Sequence, residues 1–349
     1  MGMIKLPNDA VEFFMANVRD IFESGALAEG SWNKKSAEWV ENYTGVKKAI
    51  ITTSNGSGMV ALLQVYNRYY GRNKVLLQSN TMYGVKTMVR SGRCDLIGYI
   101  DCSCETLMPT FEDVKKAVEL VHDTDELIIL LTHIGGYINP DIEKIATFCK
   151  ENNIILLEDC AHSFGATLNG KHSGTFGDAG VYSFYATKAL FTGEGGIVVT
   201  NDKRMGEYIS RFVIYDRFEQ KMDIGINVRQ SEMQALLLYG VLQDTEKVIE
   251  NKRAIAQKYK EVCDELGITY IDQDAKGQRG NYYKFMLLDK NCNASETFKN
   301  IKTKTSPVYD YALGSSQKVA NSHICLPIWY NQEDEVTNKA IEELKTFKG

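Results

Sequence analysis

Lys188 stands in the run GDAGVYSFYATKALFTGEGGIVVTND, residues 177–202, where an apolar strand pattern hands over to a glycine-rich turn. Upstream, the apolar run IILL ends in the acidic pair Glu158-Asp159 of ILLEDCAHSFGA. A lysine leaving an apolar strand carries a desolvation cost unless its amine reacts, and a Schiff base with a carbonyl is the usual reaction. A carboxylate at the carboxyl end of a strand lies where open α/β sheets collect ligands. Asp159 there suits the protonated nitrogen of a pyridine ring. The third part is TTSNGSGMVALLQVYN, residues 52–67, where a predicted strand ends in a small-residue turn and a helix starts at about Gly56 or Ser57. Backbone N–H groups at such a start, with the positive end of the helix dipole, suit a phosphate.

Each part alone has an ordinary explanation: Asp159 as a cap, Lys188 as a loop lysine, SNGSG as a turn with an N-cap. Together they supply an amine for a Schiff base, a carboxylate for a ring nitrogen and a phosphate seat, which is what pyridoxal 5'-phosphate (PLP) requires. When its ring nitrogen is protonated, that cofactor acts as an electron sink. Ser183 ends the strand before Lys188, and His162 either faces the same ring or packs. The turn is not a Walker loop, since no GK[ST] follows, and it lacks the GxGxxG of a Rossmann oxidoreductase.

The elements that must position these groups follow from periodicity. Between residues 48 and 200 the runs AIITT, KVLLQ, DLIGYI, LIILLT, IILL, AGVYSF and GIVVT alternate with segments of helical period. This pattern predicts a mostly parallel sheet covered by helices. In INPDIEKIATFCKENN, Ile142, Ile145, Ala146 and Cys149 recur at helical spacing, with Pro140 where a first turn tolerates it. After Asn201 come long helical stretches, then the strand candidate NYYKFMLL (residues 281–288) and a terminal amphipathic helix with Val336, Ala340, Ile341 and Leu344 on one stripe. The reading is an α/β protein with a large domain at 1–245 and a small one at 246–349, a size that exceeds one core.

A net charge of −5 and a pI of about 5.7 give no general attraction for nucleic acid. The start MGMIKLPNDAVEFF has no apolar signal core and no twin arginine. Leu6 stands where a myristoylation signal needs Ser or Thr, so a cytoplasmic location is expected. No apolar run approaches the roughly 18 residues of a membrane helix. The eight cysteines show no CxxC pair, and they are read as reduced thiols without a metal site. Cys102 and Cys104 in DCSCET are read as loop cysteines. The sequons at Asn42, Asn55 and Asn293 carry no weight without a secretory signal.

The stretch EDCAHSFGATLNGKHSGTFGDAGVYSFYATKALFTGEGGIVVTND, residues 158–202, resembles the DegT/DnrJ family of fold type I PLP enzymes, mostly sugar aminotransferases. SNGSGMVAL resembles that family's phosphate turn, GINVRQSEMQALL its GxNxRMxExQAAL segment, and ICLPIW its Leu-Pro element. The resemblance covers nearly the whole chain. It implies a three-layer α/β/α large domain with a mostly parallel mixed sheet, plus a smaller α+β C-terminal domain. It further implies that Lys188 binds PLP covalently, Asp159 pairs with the ring nitrogen, and His162 lies near the ring and its 3-hydroxyl. Gly56, Ser57 and Ser183 would hold the phosphate, with Asn227 reaching the phosphate of a neighbouring subunit in a homodimer.

Many family members have an aromatic residue after Asn-Thr to cover the ring; here Met82 and then Tyr83 follow, and either is a candidate. The family's Asn after the lysine is Ala189, and its Met after Arg229 is Gln230. The activity the resemblance implies is transfer of an amino group from an amino acid, L-glutamate, to a keto sugar, a nucleotide-linked deoxyhexose of surface polysaccharide or secondary metabolism. A dehydratase branch of the family replaces the lysine with histidine, so Lys188 argues for amino transfer; a non-catalytic PLP-binding regulator is the other alternative. Sugar or phosphate contacts are sought at Ser31-Trp32, at Arg217 and Lys221 in YDRFEQKMD, and at Tyr309 in SPVYDYALGSSQK.

Overall fold

The computed structural model describes residues 5–314 and 317–347. The central sheet takes its strands from the apolar runs. They are β1 (Lys48–Thr52), β2 (Lys74–Gln78), β3 (Asp95–Ile100), β4 (Leu127–Thr132), β5 (Ile155–Cys160), β8 (Ala179–Ser183) and β9 (Gly196–Thr200), in the order β1-β9-β8-β5-β4-β2-β3. β9 runs antiparallel to both β1 and β8, and the remaining pairs are parallel. Every residue of β4, β8 and β9 is buried, as strands covered on both faces require. The two-residue strands β6 (Thr167–Leu168) and β7 (Lys171–His172) form a hairpin that β10 (Gln278–Arg279) extends.

One face of the sheet is covered by α3 (Asn55–Tyr70), α4 (Tyr83–Ser91) and α7 (Lys203–Phe212), whose Leu62, Val89 and Ile209 share a core with Leu77, Leu157 and Val181. The other face carries α2 (Ser31–Thr44), α5 (Phe111–Glu119), α6 (Ile142–Glu151) and α8 (Glu232–Gln243), against which α1 (Asn8–Ser24) packs. The molecule is therefore the three-layer α/β/α arrangement of fold type I, with a C-terminal α+β part. That part comprises α9 (Thr245–Leu266), β11 (Phe285–Leu288), α10 (Ala294–Thr297), α11 (Gln317–Asn321), β12 (His323–Leu326) and α12 (Asp334–Lys345). Its core gathers Tyr259, Phe285, Leu326 and Leu344.

Two elements are shorter than the sequence pattern predicts. The helical run after Ser231 breaks at Asp244, which ends α8 and starts α9. The strand expected over 281–288 pairs only from Phe285, because Tyr282 adopts a positive φ of 48°. The amides of Asn281 and Lys284 are spent on the carbonyls of Gly136 and Gly135 instead of a ladder. No helix among the described residues is long and apolar enough to cross a membrane.

Candidate active site

The helix turn after β1 is built by a capping box. Ser54 Oγ accepts the Ser57 N–H at 3.1 Å while Ser57 Oγ accepts the Ser54 N–H at 3.0 Å. The helix thus starts at Asn55, one or two residues before the predicted point, and the Ser57 hydroxyl is engaged within the cap. Gly196 at the head of β9 abuts this turn, where an added Cβ would run into the backbone of Ser54. Asn55, buried at the first position of α3, sends its Nδ2 N–H groups to Asp159 Oδ1 and to the Val181 carbonyl, both at 3.0 Å. One amide therefore ties the helix start to β5 and β8.

Successive residues of a strand face opposite sides, and β5 uses this to separate the acidic pair. Asp159 faces the α3 side; its Oδ1 also accepts the Ala161 N–H at 3.1 Å, and Oδ2 lies 3.5 Å from Thr132 Oγ1. Burial pushes its carboxyl up, against the pull of the Ala161 N–H and the Lys188 charge. Glu158 faces the other side and is fully buried. It accepts His133 Nε2–H and the Gly174 N–H on Oε2, and the Phe176 and Gly177 N–H groups on Oε1, at 2.7–2.8 Å. Glu158 is a structural anchor for the loop that leads into β8. His133 receives the Asn139 N–H on Nδ1 at 3.1 Å, which leaves its proton on Nε2 for Glu158.

Beyond β8 the chain turns, and Lys188 donates its backbone N–H to Tyr185 O at 2.8 Å. Its amine stands 5.0 Å from the centroid of the Tyr283 ring. Burial pushes the Lys188 ammonium down to about 8, with Asp159 opposing the fall and the Lys284 charge adding to it. Lys188, Asp159, Gly56, Met82 and Ser183 line one cavity of about 290 Å³, together with Tyr309. His162 stacks on Tyr283 at 4.4 Å, accepts the Gly135 N–H on Nδ1 at 3.4 Å, and faces the Tyr309 hydroxyl with Nε2 at 3.4 Å. Burial first, then the nearby lysines, hold His162 neutral.

The other expected residues lie elsewhere. Tyr83 is exposed and off the cavity wall, its backbone N–H bound by Tyr311 Oη at 2.7 Å, whereas Met82 lines the wall. Ser57 is likewise off the wall, and Asn227 lies exposed beside Ile214 on the outer loop. The polar groups of Ser31 and Trp32 are taken by Glu232, at 3.3 Å for Ser31 Oγ and 3.0 Å for the Trp32 N–H. Lys221 pairs with Glu219 at 2.9 Å, and Arg217 lies over Phe218 at 4.5 Å. Ser315 and Ser316 of the last candidate segment, and the first four residues of the start, lie outside the described residues. Sequence reasoning missed Ser54, Asn55, Met88, Ala161, Tyr185 and Glu194 on the wall, Tyr283 near the Lys188 amine, and Lys284 near that ring. Glu194 carried a signal, as the acid within the glycine turn; Asn55 carried none beyond its place in a turn.

The residues present fit PLP. A buried carboxylate whose nearest cation is a lysine held down to about 8 is short of a partner, which a protonated ring nitrogen supplies. The leading N–H groups of a helix have no acceptor within it, and Asn55 and Gly56 bring that end of α3 to the wall. Met82 and Ala161 both border the space above Asp159, and the Lys188 amine reaches the same space.

The chain has known relatives in sequence and in fold. GDP-perosamine synthase of Escherichia coli O157:H7 is 28% identical over 207 residues, covering 58% of this chain and 55% of that protein. GDP-perosamine synthase of Vibrio cholerae is 26% identical over 359 residues, 95% of each. Among solved structures, Helicobacter pylori PseC, an aminotransferase involved in pseudaminic acid biosynthesis, superposes with a TM-score of 0.83 at 20% identity over 99% of this chain and 98% of its own. GDP-4-keto-6-deoxymannose-3-dehydratase (ColD) superposes at 0.79 and 18% identity, over 98% and 99% of the two chains. The sequence profile of the DegT/DnrJ/EryC1/StrS aminotransferases matches residues 8–345, and the chain belongs to that aminotransferase family.

Proposed function

We propose that this aminotransferase uses PLP bound to Lys188 to move an amino group from an amino acid, L-glutamate, to a keto sugar carried on a nucleotide. The observation that carries the reading is the Lys188 amine, held near 8 in one cavity with the buried Asp159. When bound, PLP supplies an electron sink for the carbon that exchanges its amino group. Asp159, positioned by the N–H groups of Asn55 and Ala161, would face the ring nitrogen, whose proton would favour the ionised carboxylate that burial disfavours. Lys188 with a depressed pKa is free to accept and return a proton near neutral pH. Neutral His162 offers its Nε2–H toward the Tyr309 hydroxyl and the cavity without adding charge.

The sugar half of the proposal rests on relatives whose names are GDP-perosamine synthase and on the Helicobacter transaminase of a UDP-linked amino sugar. ColD, a dehydratase of the same fold, favours a second reading, dehydration. The lysine at 188 weighs against it. A homodimer with Asn227 reaching the partner's cofactor phosphate belongs to the same proposal. It is supported by the exposed apolar residues Tyr215, Phe218 and Ile226 in the same stretch of chain as Asn227. Incubation with PLP, L-glutamate and a panel of GDP-, dTDP- and UDP-linked 4-keto-6-deoxyhexoses tests the function. Formation of 2-oxoglutarate and an amino sugar is expected; loss of a hydroxyl without a new amine establishes the dehydratase, and no product with any sugar refutes both.

A further inference from the structure

Lys284 comes from the C-terminal part of the chain, immediately before the strand pairing that begins at Phe285. That segment is fastened to the large domain: the Asn281 N–H binds Gly136 O at 2.8 Å and the Lys284 N–H binds Gly135 O at 2.9 Å. Gly135 in turn donates its own N–H to His162. The position of Lys284 relative to the site is thus set by backbone bonds. Both amines approach the Tyr283 ring, Lys188 Nζ at 5.0 Å and Lys284 Nζ at 5.6 Å from its centroid.

An ammonium has three N–H donors and no acceptor. Lys284 Nζ donates two of them, to Ser306 O at 3.0 Å and to Ser306 Oγ at 3.3 Å. No carboxylate of the described residues forms an ion pair with it. Its charge depresses Lys188, His162 and the buried Lys252 alike, and burial depresses Lys284 itself. Asp159, the acid that acts on Lys188, accepts the N–H groups of Asn55 and Ala161 on one oxygen, and Glu194 stands on the cavity wall. Lys284 thus brings to this region a positive charge that no carboxylate ion-pairs among the described residues, and an anion joining it would offset that charge.

We propose that Lys284 is the seat for a carboxylate of the amino donor. The inference rests on the aminotransferase reading, and it names the part of that reaction the cofactor residues leave open. A carboxylate accepts the remaining N–H of Lys284 while the donor's nitrogen occupies the place of the Lys188 amine. A compact ammonium suits a single such contact. Arg217 and Lys221, the cations first considered for ligand contacts, stand over Phe218 and beside Glu219.

The test compares the PLP-loaded wild type with Lys284→Met and Lys284→Arg. The first keeps the aliphatic stem without the charge, and the second restores the charge. Two readouts are used: the dissociation constant of glutarate, a dicarboxylate that cannot react, from the cofactor absorbance; and the glutamate dependence of single-turnover amination. Lys284→Met is expected to weaken both at least tenfold with PLP affinity and keto-sugar KM unchanged, and Lys284→Arg to recover most of the loss. Wild-type glutarate affinity in Lys284→Met, or a defect confined to the keto sugar, overturns the assignment. Should Lys284→Met fold poorly, Lys284→Gln takes its place in the same comparison. Glutarate binding that depends on Lys284 without amination of any sugar leaves the carboxylate seat standing and refutes the aminotransferase reading.

Discussion

The adjacent carboxylates of β5 make a sharp test, because the same change should have opposite consequences at 158 and 159. Glu158 is fully buried and accepts four N–H groups, two on each oxygen. In Glu158→Gln the amide nitrogen must face one of these pairs. Turned toward Phe176 and Gly177, it meets two backbone donors; turned the other way, it meets the Gly174 N–H and His133. His133 cannot change tautomer without abandoning the Asn139 N–H. Two hydrogen bonds to a charged acceptor are lost either way, at about 1.5–3 kcal/mol each, so the expected destabilisation is about 3–6 kcal/mol. Against a typical total of about 5–15 kcal/mol this is severe, and the Tm should fall by roughly 4–8 °C.

Asp159→Asn behaves differently. The amide oxygen keeps both bonds that Oδ1 accepts, from Asn55 and Ala161, and its nitrogen replaces Oδ2 beside Thr132 Oγ1, which is able to accept. Stability should change by less than about 1 kcal/mol, while turnover falls about 100-fold or more because the charge at the ring nitrogen is gone. Urea unfolding of both apo variants, with turnover normalised to folded protein, makes the comparison. A Glu158→Gln protein as stable as wild type, or an Asp159→Asn protein that loses stability but keeps its turnover, refutes the reasoning.

Three further outcomes follow from the same geometry. Competitive acylation of the apo protein should show Lys188 titrating near 8 instead of at the usual 10.5 of a lysine; Asp159→Asn should move this midpoint down, since it removes the charge that favours the ammonium, and Lys284→Met should move it up. Asn55→Ala should cost about 1–3 kcal/mol in urea unfolding and weaken PLP binding in an absorbance titration, because it removes the amide N–H groups from Asp159 Oδ1 and Val181 O together. Gly196→Ala should destabilise by about 1–3 kcal/mol and likewise weaken PLP, since its methyl displaces the Ser54 turn; unchanged affinity there contradicts the phosphate seat at this turn.

The strands were legible because apolar runs bounded by turn residues have few other uses, and α6 because Ile142, Ile145 and Cys149 repeat at its period. Lys188 and Asp159 were legible as a pair because strand ends face one cavity. What the sequence left hidden has particular causes. Residues 158 and 159 read as one acidic pair, although alternation along β5 sends them to opposite faces. Ser57 read as a phosphate ligand, yet its hydroxyl closes the cap with Ser54. Tyr283 and Lys284 approach from the C-terminal part of the chain, and no local period reports such long-range contacts; Tyr309, sought from its loop as a ligand contact, does line the cavity. The shortened β11 depended on a positive φ at Tyr282 that a tyrosine rarely adopts.

Lys188 as the covalent anchor is the claim on which the rest depends. Borohydride reduction of the PLP-loaded protein, followed by proteolysis and mass spectrometry, tests it directly. The account predicts a single pyridoxyl group, on the peptide that contains Lys188. A pyridoxyl group on Lys284 or Lys252, the other lysines whose ammonium is depressed, or none at all, contradicts it.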